Sequence, residues 1–151
     1  HWFTIKYPAE FTASPTTPMA EFRSIQQEAG TPTRTFVDTD EATFTSPDGE
    51  VVFYVFSPQW GGEPDYLLVK DTEKLVDEKM SEEGKDGDKK TLRWATIAAK
   101  DGSYTRSYLS TKMYDDTVHY VLGIQCEDQA AYDDYKEEYE AFKKSFVQYA
   151  D

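Results

Sequence analysis

Six apolar or aromatic residues in a row, Val51 to Phe56, follow the tetrapeptide Ser46-Pro47-Asp48-Gly49. Side chains alternate between the two faces of a strand, so a run with no polar position must be covered on both sides. Pro fixes φ and Gly accepts positive φ, which makes the tetrapeptide a turn. With Glu41 to Thr45 ahead of it, the pattern predicts a hairpin over residues 41–57 whose second strand is central in a sheet. This one segment rules out a chain whose sheet is dry on one face only.

The rest of the chain supplies further strands and cover for them. Trp2 to Tyr7 alternates and meets Pro8, which reads as a first strand ending in a turn. Residues 11–18, with two prolines and several hydroxyl residues, read as loop, and Met19 to Gln27 fits either a helix or an extended segment. Thr33 to Val37 is a strand candidate, and Tyr66 to Val69 a short strand or helix start. Asp71 or Thr72 caps a predicted helix over Glu73 to Glu83, with Leu75, Val76 and Met80 on its stripe. Thr91 to Ala99, Ser103 to Met113 and Val118 to Cys126 then read as a three-strand meander joined by turns at Asp101-Gly102 and Asp115-Asp116. Finally Tyr135, Tyr139, Phe142, Phe146 and Tyr149 recur at helical spacing, with Asp128 and Asp133 toward the start and Lys143 and Lys144 toward the end. That stripe packs on the sheet, and the charges suit the helix dipole.

These elements predict one domain over residues 1–151, of α+β class. The expected architecture is an α-β-α sandwich around a central antiparallel sheet of about six strands. Charge narrows the partners. The chain carries 29 acidic and 16 basic residues, a formal charge of −13, which argues against a phosphate backbone as ligand. Ten acidic against three basic residues lie in 1–66, eight against three in 127–151, and three against four in 91–126. Acid therefore flanks a near-neutral meander, and a partner docking on the acidic parts should be basic or cationic. The longest apolar run is too short to span a bilayer.

The residue types for catalysis do not converge. Only His1 and His119 are present, and Cys126 is the only cysteine, so no internal disulfide forms and no thiolate metal cluster is possible. Cys126 shares the core-facing parity of its strand, whereas His119 has the opposite parity, so the two do not meet. Adjacent acids such as Asp133-Asp134 and Glu137-Glu138 point about 100° apart on a helix and do not converge as glycosidase carboxylates do. Asp86-Gly87-Asp88 lacks the remaining ligands of a calcium loop. No catalytic residue, no cofactor and no enzyme is predicted. Two candidate binding features remain. One is the aromatic loop Trp60-Gly61-Gly62-Glu63-Pro64-Asp65-Tyr66, which could line a groove or cover a sheet edge. The other is Tyr104, Arg106 and Tyr108 on one face of a strand, either an exposed cation–π patch or buried beneath a helix. Asp115 and Asp116 are the candidates for a weak divalent-cation site.

Phe3-Thr4-Ile5-Lys6-Tyr7-Pro8 at the start, Phe44-Thr45-Ser46-Pro47-Asp48-Gly49 before the apolar strand, and Phe142-Lys143-Lys144-Ser145-Phe146 at the close of the last helix together resemble the Mog1/PsbP-like family. The resemblance spans nearly the whole chain and rests on packing and turn signals. It implies an α-β-α sandwich and a non-enzymatic binding or accessory protein of bacterial, extracytoplasmic kind that engages a protein partner. A small-molecule or divalent-cation binder is the alternative. No signal segment is visible at the start of this chain, and an upstream lipid anchor stays open.

Overall fold

The central strand is where the rest of the chain is assembled. Residues 3–15, 21–24, 33–38, 41–58, 64–84, 89–113 and 118–148 are described in a computed structural model, and the structural statements here concern them. The first third forms β1 (Phe3–Pro8), β2 (Thr12–Pro15), β3 (Glu21–Ser24), β4 (Thr33–Asp38), β5 (Glu41–Thr45) and β6 (Val51–Phe56). A 3-10 turn at Asp65–Leu67 precedes β7 (Glu73–Glu83), β8 (Lys90–Ala99), β9 (Thr105–Met113) and β10 (Val118–Cys126). The helix α1 (Gln129–Lys144) and the short β11 (Val147–Gln148) follow. Seven strands form one sheet in the order β2-β5-β6-β10-β9-β8-β7, and four form a second in the order β11-β1-β4-β3. Every described pairing is antiparallel. The protein is a sheet-rich α+β fold.

β6 has the environment that its sequence demands. Val51, Phe53 and Val55 face a core shared with α1 and the smaller sheet, in which Phe3, Ile5, Phe36, Phe44, Ile124 and Phe142 are buried. Tyr54 and Phe56 face a second core with Leu67, Ile97, Tyr108 and Val121. The turn before β6 is closed by side chains: the Ser46 hydroxyl donates to Asp48 Oδ1 at 2.6 Å, and the Glu50 N–H donates to the same oxygen at 3.0 Å. Gly49 supplies the positive φ of 75°. Tyr135 of α1 donates to Asp48 Oδ2 at 3.0 Å, so the turn is also tied to the helix.

The structure corrects several expectations. Residues 73–83 are not a helix but β7, an eleven-residue edge strand paired with β8 from Glu73↔Ala99 to Glu83↔Lys90. The Thr72 carbonyl, expected near a helix cap, instead accepts from Lys100 N–H at 2.8 Å and closes the pairing. With that helix gone, the α-β-α layering is not seen: one described helix covers one face, and the segment through Asp65–Leu67 covers part of the other. The larger sheet has seven strands where about six were expected, and the smaller sheet was not foreseen. Part of the predicted 11–18 loop pairs with β5 as β2, and Glu21–Ser24 is extended. α1 stops at Lys144 rather than running on through Phe146. Ser145 ends it, because its backbone N–H closes on Ala141 O while its hydroxyl takes Lys6 N–H at 2.8 Å. The chain then turns to pair Val147 with Thr4, and Phe146 still packs on Phe3 and Tyr120, with ring centroids 5.7 and 4.7 Å away. Tyr149 lies outside the described residues.

Gly123 shows how tightly the second core is filled. It pairs with Tyr54, and a Cβ built at Gly123 would fall inside the Tyr54 ring. That ring cannot swing away freely, since it is buried and packs against the tilted Tyr66 ring, with centroids 4.5 Å apart. Gly123→Ala should therefore lower stability by about 1–3 kcal/mol in denaturant unfolding. A double-mutant cycle with Tyr54→Ala should show coupling, because the added methyl then has room. Strictly additive effects would refute the packing account.

Candidate functional site

Alternation along β9 puts Arg106, Tyr108 and Ser110 on the face that carries the second core, with Tyr104 just ahead of the strand. β7 places Glu73 on the same face, and the segment leading into it crosses above. Arg106 faces Glu73 as a fork: Nε donates to Oε2 at 2.8 Å and Nη2 to Oε1 at 2.9 Å. Nη2 also donates to the Leu68 carbonyl at 3.0 Å, and Nη1 donates to that of Tyr66. The Tyr104 hydroxyl donates to Glu73 Oε2 at 2.6 Å, the Lys70 N–H donates to Oε1 at 3.1 Å, and the Tyr108 hydroxyl donates to Leu67 O at 3.2 Å. Arg106 and Glu73 are each only 3% exposed.

The electrostatics follow from that geometry. Hydrogen bonds from Arg106 draw the Glu73 carboxyl down to about 2, against the burial that works the other way. Burial opposes the Arg106 charge, and Glu73 and Tyr54 together more than offset it, so the guanidinium sits above its ordinary value. Donation to Glu73 raises the Tyr104 phenol. The cluster is a buried, charge-paired clasp that fastens residues 66–73 onto β9. Its polar atoms point at one another and at backbone carbonyls.

Of the residues singled out from the sequence, Tyr66, Tyr104, Arg106 and Tyr108 are thus brought together. They do not form an exposed cation–π patch. The Arg106 cation is turned inward to Glu73, and the cation over the Tyr108 ring is that of Arg93, at 5.7 Å. Tyr66 packs its ring on Tyr54 and Phe56, on the face that carries the second core. Trp60, Asp115 and Asp116 lie outside the described residues. Among those described, no three His, Cys, Asp or Glu residues are grouped to hold a metal ion. Helical spacing makes Glu73 the first residue of a helix and so hides it; only the strand register of β7 turns it toward Arg106.

His119 and Cys126 lie on opposite faces, as parity predicts. Cys126 belongs to the α1-side core, and burial pushes its thiol up to about 11. His119 Nε2 lies 2.9 Å from Ser110 Oγ, a diagonal neighbour across the β9–β10 pair that spacing did not suggest. Both are buried, with the Phe56 ring edge-on to the imidazole at 6.0 Å. A serine there has the base it needs but not the access a substrate needs.

The outward-facing features are of another kind. A groove of about 520 Å³ runs between the end of α1 and β1, lined by Lys6, Pro8, Thr33, Glu137, Ala141 and Lys144. At the far edge of the larger sheet, β7 exposes Leu75, Val76 and Met80, at 46%, 57% and 62%. No helix among the described residues is long and apolar enough to cross a membrane. Neither a family model nor a curated protein matches this chain.

Proposed function

We propose that this chain is a non-enzymatic binding or accessory protein of the Mog1/PsbP-like kind, acting outside the cytoplasm and engaging a protein partner by strand addition along β7. The observation that carries the proposal is the edge itself. Among the described residues β7 is paired on one side only, and every residue from Lys74 to Met80 is exposed. A strand with that outline offers a row of main-chain donors and acceptors to an incoming chain, with side-chain contacts on alternate positions. The family reading is supported by how its three signature segments meet: Tyr7 packs on Phe44 at 4.6 Å and Phe44 on Phe142 at 5.5 Å. The non-enzymatic reading is supported by the inward saturation of the Arg106–Glu73 clasp and the burial of the Ser110–His119 pair.

The test is site-specific photo-cross-linking in the producing cell, with the cross-linker at Val76 or Met80 and, as control, at the exposed Lys144 of α1. Adducts to one protein species from both β7 positions, and not from the helix, are expected. Adducts of equal yield at the helix, or none from β7, would overturn the proposal.

A further inference from the structure

We infer that the strand added to β7 is β7 of a second copy of this chain, antiparallel and about a twofold axis at Glu78, so that two seven-stranded sheets become one. The inference rests on the reading of β7 as the partner surface and names the partner.

The two ends of the larger sheet are built differently. At one end stands β2, four residues long and ending in Pro15, which has no N–H to donate. Short strands and prolines are two of the devices that blunt a sheet edge; β7 carries two others, charged side chains that include Lys74 and Lys79 and a register irregularity between Leu75 and Asp77. At the other end β7 runs for eleven residues without proline, about 35 Å of strand.

Symmetry then restricts the register. A twofold axis relating antiparallel strands in one sheet stands perpendicular to that sheet and keeps each face on its own side. Side chains alternate, so only registers centred on a residue bring like faces together. Centring on Asp77 sets that carboxylate against its own copy and Val76 against Glu78. Centring on Lys79 opposes two ammonium groups, and centring on Met80 opposes Glu78 to Glu82. Centring on Glu78 opposes Asp77 to Lys79 of the second copy, and Val76 to its Met80, each pair occurring twice. Of these four centres it alone matches charge with opposite charge and apolar with apolar.

The self-opposed residue in that register is already neutralised. Glu78 Oε2 accepts from Arg93 Nη2 at 2.6 Å and from Arg93 Nε at 3.1 Å within its own chain. The register shift of β7 against β8 between Leu75 and Asp77 leaves Val76 as the bulged residue at one end of the symmetric ladder, with Asp77 to Lys79 of each copy in regular pairing with β8. Two chains of charge −13 repel at long range, so the contact is best read near 0.15 M salt, where screening acts beyond about 8 Å.

Sedimentation equilibrium of the full chain tests this. The mass should rise with concentration from 17.3 kDa toward twice that value. Lys79→Asp sets a carboxylate opposite Asp77 at both symmetric positions and should weaken self-association about ten-fold. Adding Asp77→Lys to it restores opposite charges and should bring the association back. Both side chains are exposed, and matching melting temperatures would show that the variants fold. A mass fixed at one chain overturns the inference, as does self-association indifferent to Lys79→Asp or not recovered by the double exchange. If the chain stays single while cross-linker at Val76 and Met80 captures one other protein, this inference falls and the reading of β7 as a partner surface stands. If no adduct forms either, both fall.

Discussion

Arg106→Met is expected to lower the unfolding free energy by about 3–5 kcal/mol, the usual consequence of removing one member of a buried ion pair. The loss has two sources. Glu73 keeps its place beneath the 64–72 segment but loses both guanidinium hydrogen bonds, and the carbonyls of Tyr66 and Leu68 lose their donor. Removing both charges with Arg106→Met and Glu73→Leu should be markedly milder than Arg106→Met alone, because no charge is then stranded. Chemical denaturation of the three variants measures this directly. An Arg106→Met effect below about 1 kcal/mol, or a double variant worse than the single one, would show that the clasp does not bear the segment's weight.

The same pair sets a pH signature. The Glu73 carboxyl titrates near 2 when folded, against an ordinary value of 4.5. Its stabilising contribution is therefore complete above 4.5 and is lost as pH falls from there toward 2. A shift of that size corresponds to roughly 3 kcal/mol. Stability of the parent should fall through that window more steeply than that of the double variant, which has no such carboxylate.

Phe53→Ala is the second large effect, expected at about 3–5 kcal/mol. Phe53 is fully buried, and its ring meets those of Phe11, Tyr139 and Phe142 at 4.9, 5.4 and 5.0 Å. It lies where β6, α1 and the chain following β1 converge, so the vacated volume cannot be closed by moving one element. Phe53→Leu keeps most of the volume and should be distinctly milder. Equal effects for alanine and leucine, or an alanine effect under about 1.5 kcal/mol, would mean that the core collapses around the gap.

The parts of this fold that are legible in the sequence are those whose pattern is enforced by two neighbours. β6 is apolar on both faces because both faces are covered, and β10 alternates because α1 takes Leu122, Ile124 and Cys126 while the second core takes Val121. β7 is different. Its outer edge meets no other strand among those described, and its exposed Leu75, Val76 and Met80 happen to fall on a helical stripe. What makes it a strand is the free edge of β8, a tertiary cause that no local spacing encodes. The site inherits the same division. Tyr104, Arg106 and Tyr108 share a face by simple alternation, whereas their partner Glu73 stands 33 residues from Arg106 and is turned toward it only once β7 is extended. The end of α1 was equally hidden, because Ser145 stops it by bonding Lys6 of β1, 139 residues away.

The pairing of Phe3 with Gln148 bears on how the molecule is made. During synthesis β1 emerges before β11, and its pairing with β11 and the Ser145 contact to Lys6 exist only after residue 148 has cleared the ribosome. Contacts of such long sequence separation form late and slowly. Until then Phe44, Phe53 and Val55 lack the α1 side chains that cover them, for α1 too is translated after them. The nascent chain therefore passes through a stage with a sticky aromatic face, and that stage is when a holding chaperone would act on it.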